Sequence, residues 1–370
     1  MKTQVAILKC ADYSPISVSQ TLERIFSLLG GIEKFIKPKA KVFLKPNLLS
    51  ATSPEEGVTT HPVIVKEVAK RIKDMGAKVV IGDSPGGGIS IEDVYAKTGM
   101  EKISKELGIA LIKFDKIRKV NNCPLIEIVF ECDCFVSLPK FKTHSLTVIT
   151  GGIKNSFGLV PGIYKTELHW KFPRPREFSK VLVDVFSLRK PDLIIIDGVV
   201  SMEGEGPAAG SLRNTGLLLA STDAVALDSI LARIIGLNPG DVPIISEAYR
   251  RNLGEMDLEK IEVMGEPWGS VFIEDFQLPH QTVLNILPRG VLNFATHFMN
   301  NYPEVNNRTC RKCGVCVKGC PVEAITIENG VTKINHKLCV KCLCCFEFCP
   351  HKAIYLKKSL ALKILDLVRR

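Results

Sequence analysis

The chain has 370 residues, of which 46% are hydrophobic and 24% charged, with a net charge of +10; this suits a folded protein of two domains and argues against disorder. Aromatic residues reach only 7%, so a base-stacking surface for nucleic acid is not expected. The first residues lack a secretory signal, no apolar run is long enough for a membrane helix, and the 13 cysteines are clustered rather than spread as a disulfide scaffold, so we expect a cytoplasmic protein.

Strand-like and helix-like segments alternate through the first 270 residues. The strand-like segments are short apolar runs at 5–8, 42–44, 79–82, 110–113, 135–138, 193–197 and 217–220. The helical patterns lie at 17–29, 62–75, 179–188 and 223–235. Continuous apolar runs predict strands buried on both faces, so we expect a layered α/β domain with a mostly parallel sheet. Ligands of such folds bind at the carboxyl ends of the strands.

The sequence divides into four parts. Residues 1–275 form the α/β domain, residues 276–305 a proline-broken linker with an amphipathic stretch at 291–299, residues 306–357 a small cysteine-rich α+β module, and residues 358–370 a basic amphipathic helix. We expect this last helix to dock on the protein, with peripheral contact to a membrane as the less favoured alternative.

Polar residues cluster where the predicted strands end. The candidate catalytic residues are Lys45, Asn47, Lys142, His144 and Lys154, and the candidate cofactor-binding residues are Asp83, Gly86, Gly87, Asn155, Asp197 and Glu203. Lysine, histidine and asparagine side chains at one sheet edge would bind a carboxylate or phosphate. The carboxylates would bind a cation or act as acid/base groups, and the glycines would offer backbone N–H groups to an oxyanion. The alternative is that the lysines are solvated and the carboxylates cap helices or form ion pairs.

Several of these segments are recognisable together. The motifs KPN, LPKFKTH, GGIKNSFG, the DG…EGEGP loop that begins at Asp197, and DAVALDSILARIIGL resemble the family catalogued as domain of unknown function 362. The similarity spans about residues 1–275, and family members often carry a ferredoxin module at the same end. The resemblance implies an architecture more than a reaction. Neither a G-x-G-x-x-G nucleotide fingerprint nor a Walker A motif accompanies it.

Eight cysteines form two copies of C-x2-C-x2-C-x3-C-P, and each member of the second copy lies 29 residues after its counterpart. This internal duplication resembles the bacterial two-cluster ferredoxins, in which the fourth cysteine of each run binds the other cluster. The resemblance assigns one 4Fe–4S cluster to Cys310, Cys313, Cys316 and Cys349, and the other to Cys339, Cys342, Cys345 and Cys320. Zinc is the competing metal for these cysteines. Zinc ribbons, however, use paired C-x2-C motifs and lack two four-cysteine runs that each end in Cys-Pro.

The positive charge is concentrated in residues 306–370, which hold thirteen Lys/Arg and four Asp/Glu. Part of this excess would offset the anionic clusters, and the rest could steer an acidic redox partner such as ferredoxin or flavodoxin, or simply solubilise the protein. We therefore predict an oxidoreductase in which two clusters pass low-potential electrons to a small anionic substrate or cofactor in the α/β domain, where an additional divalent metal or anionic ligand could bind. The alternatives are a non-enzymatic electron-transfer or assembly partner that docks another protein through the large domain, and a non-redox enzyme with structural or sensory clusters.

Overall fold

The structure is a computed structural model that describes residues 2–279 and 302–357. The amphipathic stretch predicted at 291–299 and the helix predicted at 358–370 lie outside the described residues. Within the two described ranges, no helix has the length and apolar character needed to cross a membrane.

The large domain alternates strands and helices as predicted. Its strands are β1 (Thr3–Lys9), β2 (Lys41–Pro46), β3 (Lys78–Ile81), β4 (Ala110–Leu111), β5 (Ile117–Val120), β6 (Cys123–Ile126), β7 (Cys134–Leu138), β8 (Lys140–His144), β9 (Val148–Thr150), β10 (Leu193–Glu203), β11 (Ser211–Ser221) and β12 (Ile261–Gly265). Its helices are α1 (Pro15–Leu28), α2 (Pro62–Asp74), α3 (Ile91–Lys97), α4 (Met100–Leu107), α5 (Ile128–Glu131), α6 (Gly152–Asn155), α7 (Gly162–Lys171), α8 (Pro175–Leu188), α9 (Ala224–Ile234) and α10 (Pro243–Arg250).

One ten-stranded sheet organises this domain, in the order β12-β1-β11-β10-β7-β2-β3-β4, with β8 and β9 attached beside β10. Along this order only β11 runs antiparallel to its neighbours, and the other pairs are parallel. The predicted α/β fold with a mostly parallel sheet is therefore confirmed. Strands β5 and β6 form a separate antiparallel hairpin.

The strands are buried on both faces, which explains their continuous apolar sequences. Successive side chains of a strand point to opposite faces, so Phe43 packs in one apolar layer while Val42 and Leu44 pack in the other. Helices α8 and α9 cover the first layer, and α1 and α2 cover the second. Strands β2, β3 and β7 run parallel to one another. Their carboxyl ends therefore meet at one edge of the sheet.

Two polar segments belong to the sheet, although the sequence did not indicate strands there. Residues Asp197 to Glu203, predicted as the start of a loop, form the second half of β10, because β11 extends beside them and pairs Glu203 with Ser211. Strand β8 is fully buried although it carries two lysines and a histidine. Its alternation places Lys140, Lys142 and His144 on one face.

The small domain consists of β13 (Tyr302–Val305), α11 (Val315–Lys318), β14 (Ile325–Glu328), β15 (Val331–Ile334), α12 (Cys344–Phe348) and β16 (Ile354–Lys357). Strand β13 pairs with β16 and β14 pairs with β15, both antiparallel. The duplication extends to the backbone, because left-handed φ angles recur 29 residues apart in the pairs Lys312 and Lys341, Gly314 and Leu343, and Glu323 and Lys352. Left-handed residues turn neighbouring N–H groups toward one concave side, as in anion-binding nests.

Candidate functional site

The eight repeated cysteines line two cavities in the small domain. The first cavity is lined by Cys310, Cys313, Cys316 and Cys349, and the second by Cys320, Cys339, Cys342 and Cys345 together with Cys344. The backbone N–H of Ala324 donates to Sγ of Cys320 at 3.2 Å, and the N–H of Ala353 donates to Sγ of Cys349 at 3.3 Å. Amide donors of this kind stabilise thiolates that ligate iron. The donor chemistry therefore fits iron–sulfur clusters.

The carboxyl ends of β2 and β3 meet in a buried ion pair. Lys45 Nζ lies 2.8 Å from Asp83 Oδ1, and both side chains are almost completely buried. Asp83 also accepts the N–H groups of Leu48 at 2.6 Å and Ser84 at 2.9 Å. Burial lowers the pKa of Lys45, and the Asp83 carboxylate opposes that shift. Lys45 Nζ donates further to Asn155 Oδ1 at 3.3 Å, which ties this edge to α6.

A cavity of about 50 Å³ opens beside this pair, between the two domains. The polar side chains that line it are Asn47, Asp83, Ser84, Lys142, Thr150, Lys154, Asn155, Lys165, His169 and Glu347. Within the described residues, none of its three lysines forms an ion pair. Lys142 Nζ donates to the Val58 carbonyl at 2.6 Å, and Lys165 Nζ donates to the Ser84 carbonyl. Lys154 Nζ lies 5.8 Å from the centroid of the Phe157 ring.

Burial, together with the neighbouring positive charges, disfavours the ammonium forms of Lys142 and Lys165. Burial lowers the pKa of Lys142 well below its usual value, and the neighbouring Lys154 ammonium lowers it further. Burial also lowers the pKa of Lys165 to about 7, despite the nearby Asp83 carboxylate. A bound anion would oppose both shifts, because a nearby negative charge favours the ammonium form of each lysine.

The small domain contributes one wall of the cavity through Glu347, a residue of α12 that is 2% exposed. Its Oε1 lies 3.4 Å from His144 Nε2, and its Oε2 lies 4.0 Å from His169 Nε2. The N–H of Leu146 donates to His144 Nδ1 at 3.1 Å, so the neutral ring carries its proton on Nε2, which lies near Glu347 Oε1 without forming a hydrogen bond to it. Burial lowers the pKa of both histidines to about 4. Glu347 lies between Cys345 and Cys349 in sequence, so the segment that carries the cysteines also closes the cavity.

The glycine run after β3 accommodates neighbouring elements. A Cβ on Gly86 would lie 2.3 Å from the ring of Phe348 in α12, and a Cβ on Gly88 would lie 3.2 Å from Lys318. A Cβ on Gly87 would lie 2.7 Å from Thr166 Oγ1 in α7. The Gly86 N–H donates to the Leu49 carbonyl at 3.4 Å. The structure thus gives Gly86 and Gly88 a role in close contact with the small domain.

The remaining candidate carboxylates are paired outside the cavity. Lys140 Nζ lies 2.9 Å from Asp197, whose other oxygen accepts the Tyr13 hydroxyl at 2.8 Å. Glu203 lies 3.5 Å from Arg213. In the described part of the large domain, no three His, Cys, Asp or Glu side chains come together as a metal site. The additional divalent metal expected there therefore has no support.

Sequence reasoning missed three ionisable residues of the cavity and one that supports it. Lys165 and His169 lie one turn apart on α7, and Glu347 comes from the small domain. Asp228, in α9, accepts the N–H groups of Gly152 at 2.6 Å and Ile153 at 3.0 Å. It thereby holds α6, whose Lys154 and Asn155 line the cavity. Asp228 lies inside the DAVALDSILARIIGL motif, which offered the one sequence signal for it.

These features define a protein in which a ferredoxin-type domain packs against a polar cavity of a large α/β domain. The family described as domain of unknown function (DUF362) matches residues 42–233, and the 4Fe-4S dicluster domain matches residues 302–350. The chain therefore belongs to the DUF362 family and carries a 4Fe–4S dicluster domain. Both resemblances seen in the sequence are confirmed.

The chain is 32% identical over 308 residues to the thylakoid-associated protein sll1697 of Synechocystis sp., a match that covers 80% of this chain and 95% of the relative. Among solved structures, the lactate racemase apoprotein from Thermoanaerobacterium thermosaccharolyticum is similar with a TM-score of 0.38 at 12% identity, covering 60% of this chain and 54% of that one. A protein from Thermotoga maritima has a TM-score of 0.34 at 15% identity, covering 53% of this chain and 52% of its own.

Proposed function

We propose that this protein is an oxidoreductase that passes low-potential electrons from two 4Fe–4S clusters to a small anionic substrate in the cavity between the domains. One observation carries the proposal: Glu347, which belongs to the cysteine-bearing segment, closes a cavity whose other walls hold Lys142, Lys154 and Lys165. A substrate bound there would lie beside the segment that holds the clusters. When bound, the clusters would supply the electrons.

The charge of the cavity favours an anionic occupant. Burying an ammonium group without a carboxylate partner costs several kcal/mol, and three lysines of this kind share the cavity with only two carboxylates. One of those carboxylates, Asp83, is already paired with Lys45. An anion that contacts Lys142, Lys154 and Lys165 would offset the cost of burying their ammonium groups. Charge-assisted hydrogen bonds would hold it in place.

The size of the cavity limits the substrate. A volume of about 50 Å³ accommodates about three to five water-sized atoms, since one water needs about 10–15 Å³ of this space. An inorganic oxyanion or a carboxylate of two carbon atoms fits this limit. The rings of Phe157 and Phe348 line the same space and would exclude bulk water from the bound anion.

We assign the clusters to the two four-cysteine cavities: one to Cys310, Cys313, Cys316 and Cys349, and the other to Cys320, Cys339, Cys342 and Cys345. The grouping of the side chains around each cavity supports this assignment. We also assign the protein to the cytoplasm, where thiolate ligands stay reduced. The cyanobacterial relative is named for its association with thylakoids, so attachment to a membrane surface is the alternative location.

The test is the reoxidation of the clusters by small anions. Anaerobic protein is photoreduced and mixed with sulfite or nitrite, whose sulfur or nitrogen atom can accept the electrons while an oxygen atom leaves as water, and cluster absorbance is followed for the parent, Lys142→Met and, as a control, the exposed Lys180→Met. Methionine has a similar length and removes the buried ammonium group together with its hydrogen bond to the Val58 carbonyl; replacing a buried charge by an apolar side chain of similar volume is often neutral, so the variant should fold. We expect one anion to reoxidise the parent and the control, and Lys142→Met to react at least about tenfold more slowly. Equal rates in Lys142→Met and the control would contradict the proposal.

A further inference from the structure

We infer that the first half of the small domain is the docking surface for an acidic electron-carrier protein, and that the second half faces the cavity. We call this surface the entry face and define it by the exposed residues Arg308, Arg311, Lys312, Cys313 and Lys318. The inference rests on the proposed function for the direction of electron flow. It adds the partner and the order in which the two clusters are used.

The two halves of the duplication differ in exposure. Cys313 is exposed, whereas its counterpart Cys342 is 8% exposed. Helix α11 has no buried residue, whereas all five residues of α12 are buried. The cause is the large domain, which covers α12 through the contact of Phe348 with Gly86 and the contact of Glu347 with His144. The first cavity is therefore lined by the more exposed cysteines and is the easier of the two for another protein to approach.

The charge of the entry face selects the partner. Arg311 and Lys312 line the first cavity itself, and residues 306–322 contain no Asp or Glu. Such a surface attracts an acidic protein and raises its association rate by about 10- to 1000-fold at low ionic strength. The rest of the small domain also carries exposed lysines, Lys333 and Lys337, but it includes Glu328 and Glu347, whereas residues 306–322 hold cations alone.

The ferredoxin arrangement explains how the two halves would work in series. Each cavity borrows one cysteine from the other half, Cys349 for the first and Cys320 for the second. Clusters that exchange their last ligands lie close together. An electron received at the entry face can therefore reach the second cavity, whose segment carries Glu347 into the substrate cavity.

The experiment measures cluster reduction by an acidic carrier, without any substrate. A reduced, net-negative 2Fe–2S ferredoxin is mixed in a stopped-flow instrument with the oxidised parent, with Arg311→Glu/Lys312→Glu, or with Lys70→Glu/Lys78→Glu. The last variant is the matched control, since it makes the same change in net charge at two exposed lysines of the large domain. We expect the entry-face variant to be reduced at least about tenfold more slowly at low salt, with a smaller difference at high salt, where screening is stronger.

Two further arms make the outcome decisive. Methyl viologen radical cation, a small positive reductant, should reduce the entry-face variant as fast as the parent, which shows that its clusters are intact. If the double charge reversal fails to load iron, Arg311→Gln/Lys312→Gln replaces it. Equal ferredoxin rates in the entry-face variant and the control would overturn the inference, and so would a variant that loses only its binding to phosphatidylglycerol vesicles. Failure of the proposed function would leave these rates unchanged, because no substrate takes part.

Discussion

Adding one methyl group at Gly86 tests the contact between the two domains. An ideal Cβ at this position would lie 2.3 Å from the Phe348 ring, whereas ordinary contacts begin at 3.4 Å. The ring is 3% exposed and has little room to turn, so α12 itself must move away. Overpacking of this kind costs about 1–3 kcal/mol. Because the ring belongs to α12 and Gly86 belongs to the large domain, we expect that cost to appear mainly in the docking of α12.

Hydrogen exchange of the α12 amides measures this cost. A docking free energy reduced by about 1–3 kcal/mol raises the population of the opened state about 5- to 150-fold, and the exchange rates of Glu347 and Phe348 should rise by the same factor. Gly269→Ala is the control, because a Cβ there meets nothing within 4 Å. The double variant Gly86→Ala/Phe348→Leu should recover part of the protection. Unchanged α12 exchange in Gly86→Ala, relative to the control, would refute this account of the domain contact.

Three further predictions concern the buried pair, the cavity and the clusters. Asp83→Asn should lower the free energy of unfolding by about 3–5 kcal/mol, because it leaves Lys45 buried without a carboxylate, and Lys45→Met/Asp83→Asn, which keeps an acceptor for the N–H groups of Leu48 and Ser84, should recover most of it in urea titrations. Affinity for an anion, measured by calorimetry, should fall as the pH rises through about 7, where Lys165 loses its proton, and Lys165→Met should flatten this profile. Cys349→Ala should retain about four of about eight irons per chain and lose the cluster of the first cavity.

Each of these predictions has an outcome that contradicts it. A double variant at the buried pair that is no more stable than Asp83→Asn would show that the lost stability has another origin. The pKa of Lys165 lies at about 7. An anion affinity that stays constant as the pH passes through this value would therefore show that Lys165 does not bind the anion. Loss of the second-cavity cluster in Cys349→Ala, detected by electron paramagnetic resonance, would reverse the ligand assignment.

Much of the fold could be predicted because its central strands are buried on both faces. Runs such as 42–44 and 193–196 are continuously apolar, and they lie in β2 and in the first half of β10. The second half of β10 could not be predicted in this way. Its polar residues are held by pairing with β11, a tertiary contact that leaves no apolar pattern in the local sequence.

The candidate site could be predicted in part, chiefly where its side chains lie at the ends of apolar strands. Lys45 and Asp83 follow neighbouring parallel strands, so the topology alone brings them to one edge. Lys165 and His169 lie on α7, whose sequence has no strand end to mark it. Glu347 could have been noticed as an acidic residue between two cysteines of a basic module. Its partners, however, lie in the other domain, so its role depends on how the domains pack.

The account depends most on a bound anion lying beside the cluster-bearing segment that Glu347 belongs to. Electron–nuclear double resonance on photoreduced protein with bound inorganic phosphate tests this directly. We predict a phosphorus hyperfine coupling to the reduced second-cavity cluster that is lost in Lys142→Met and kept in Lys180→Met. Phosphate that binds without any such coupling, or a coupling that survives in Lys142→Met, would contradict the account.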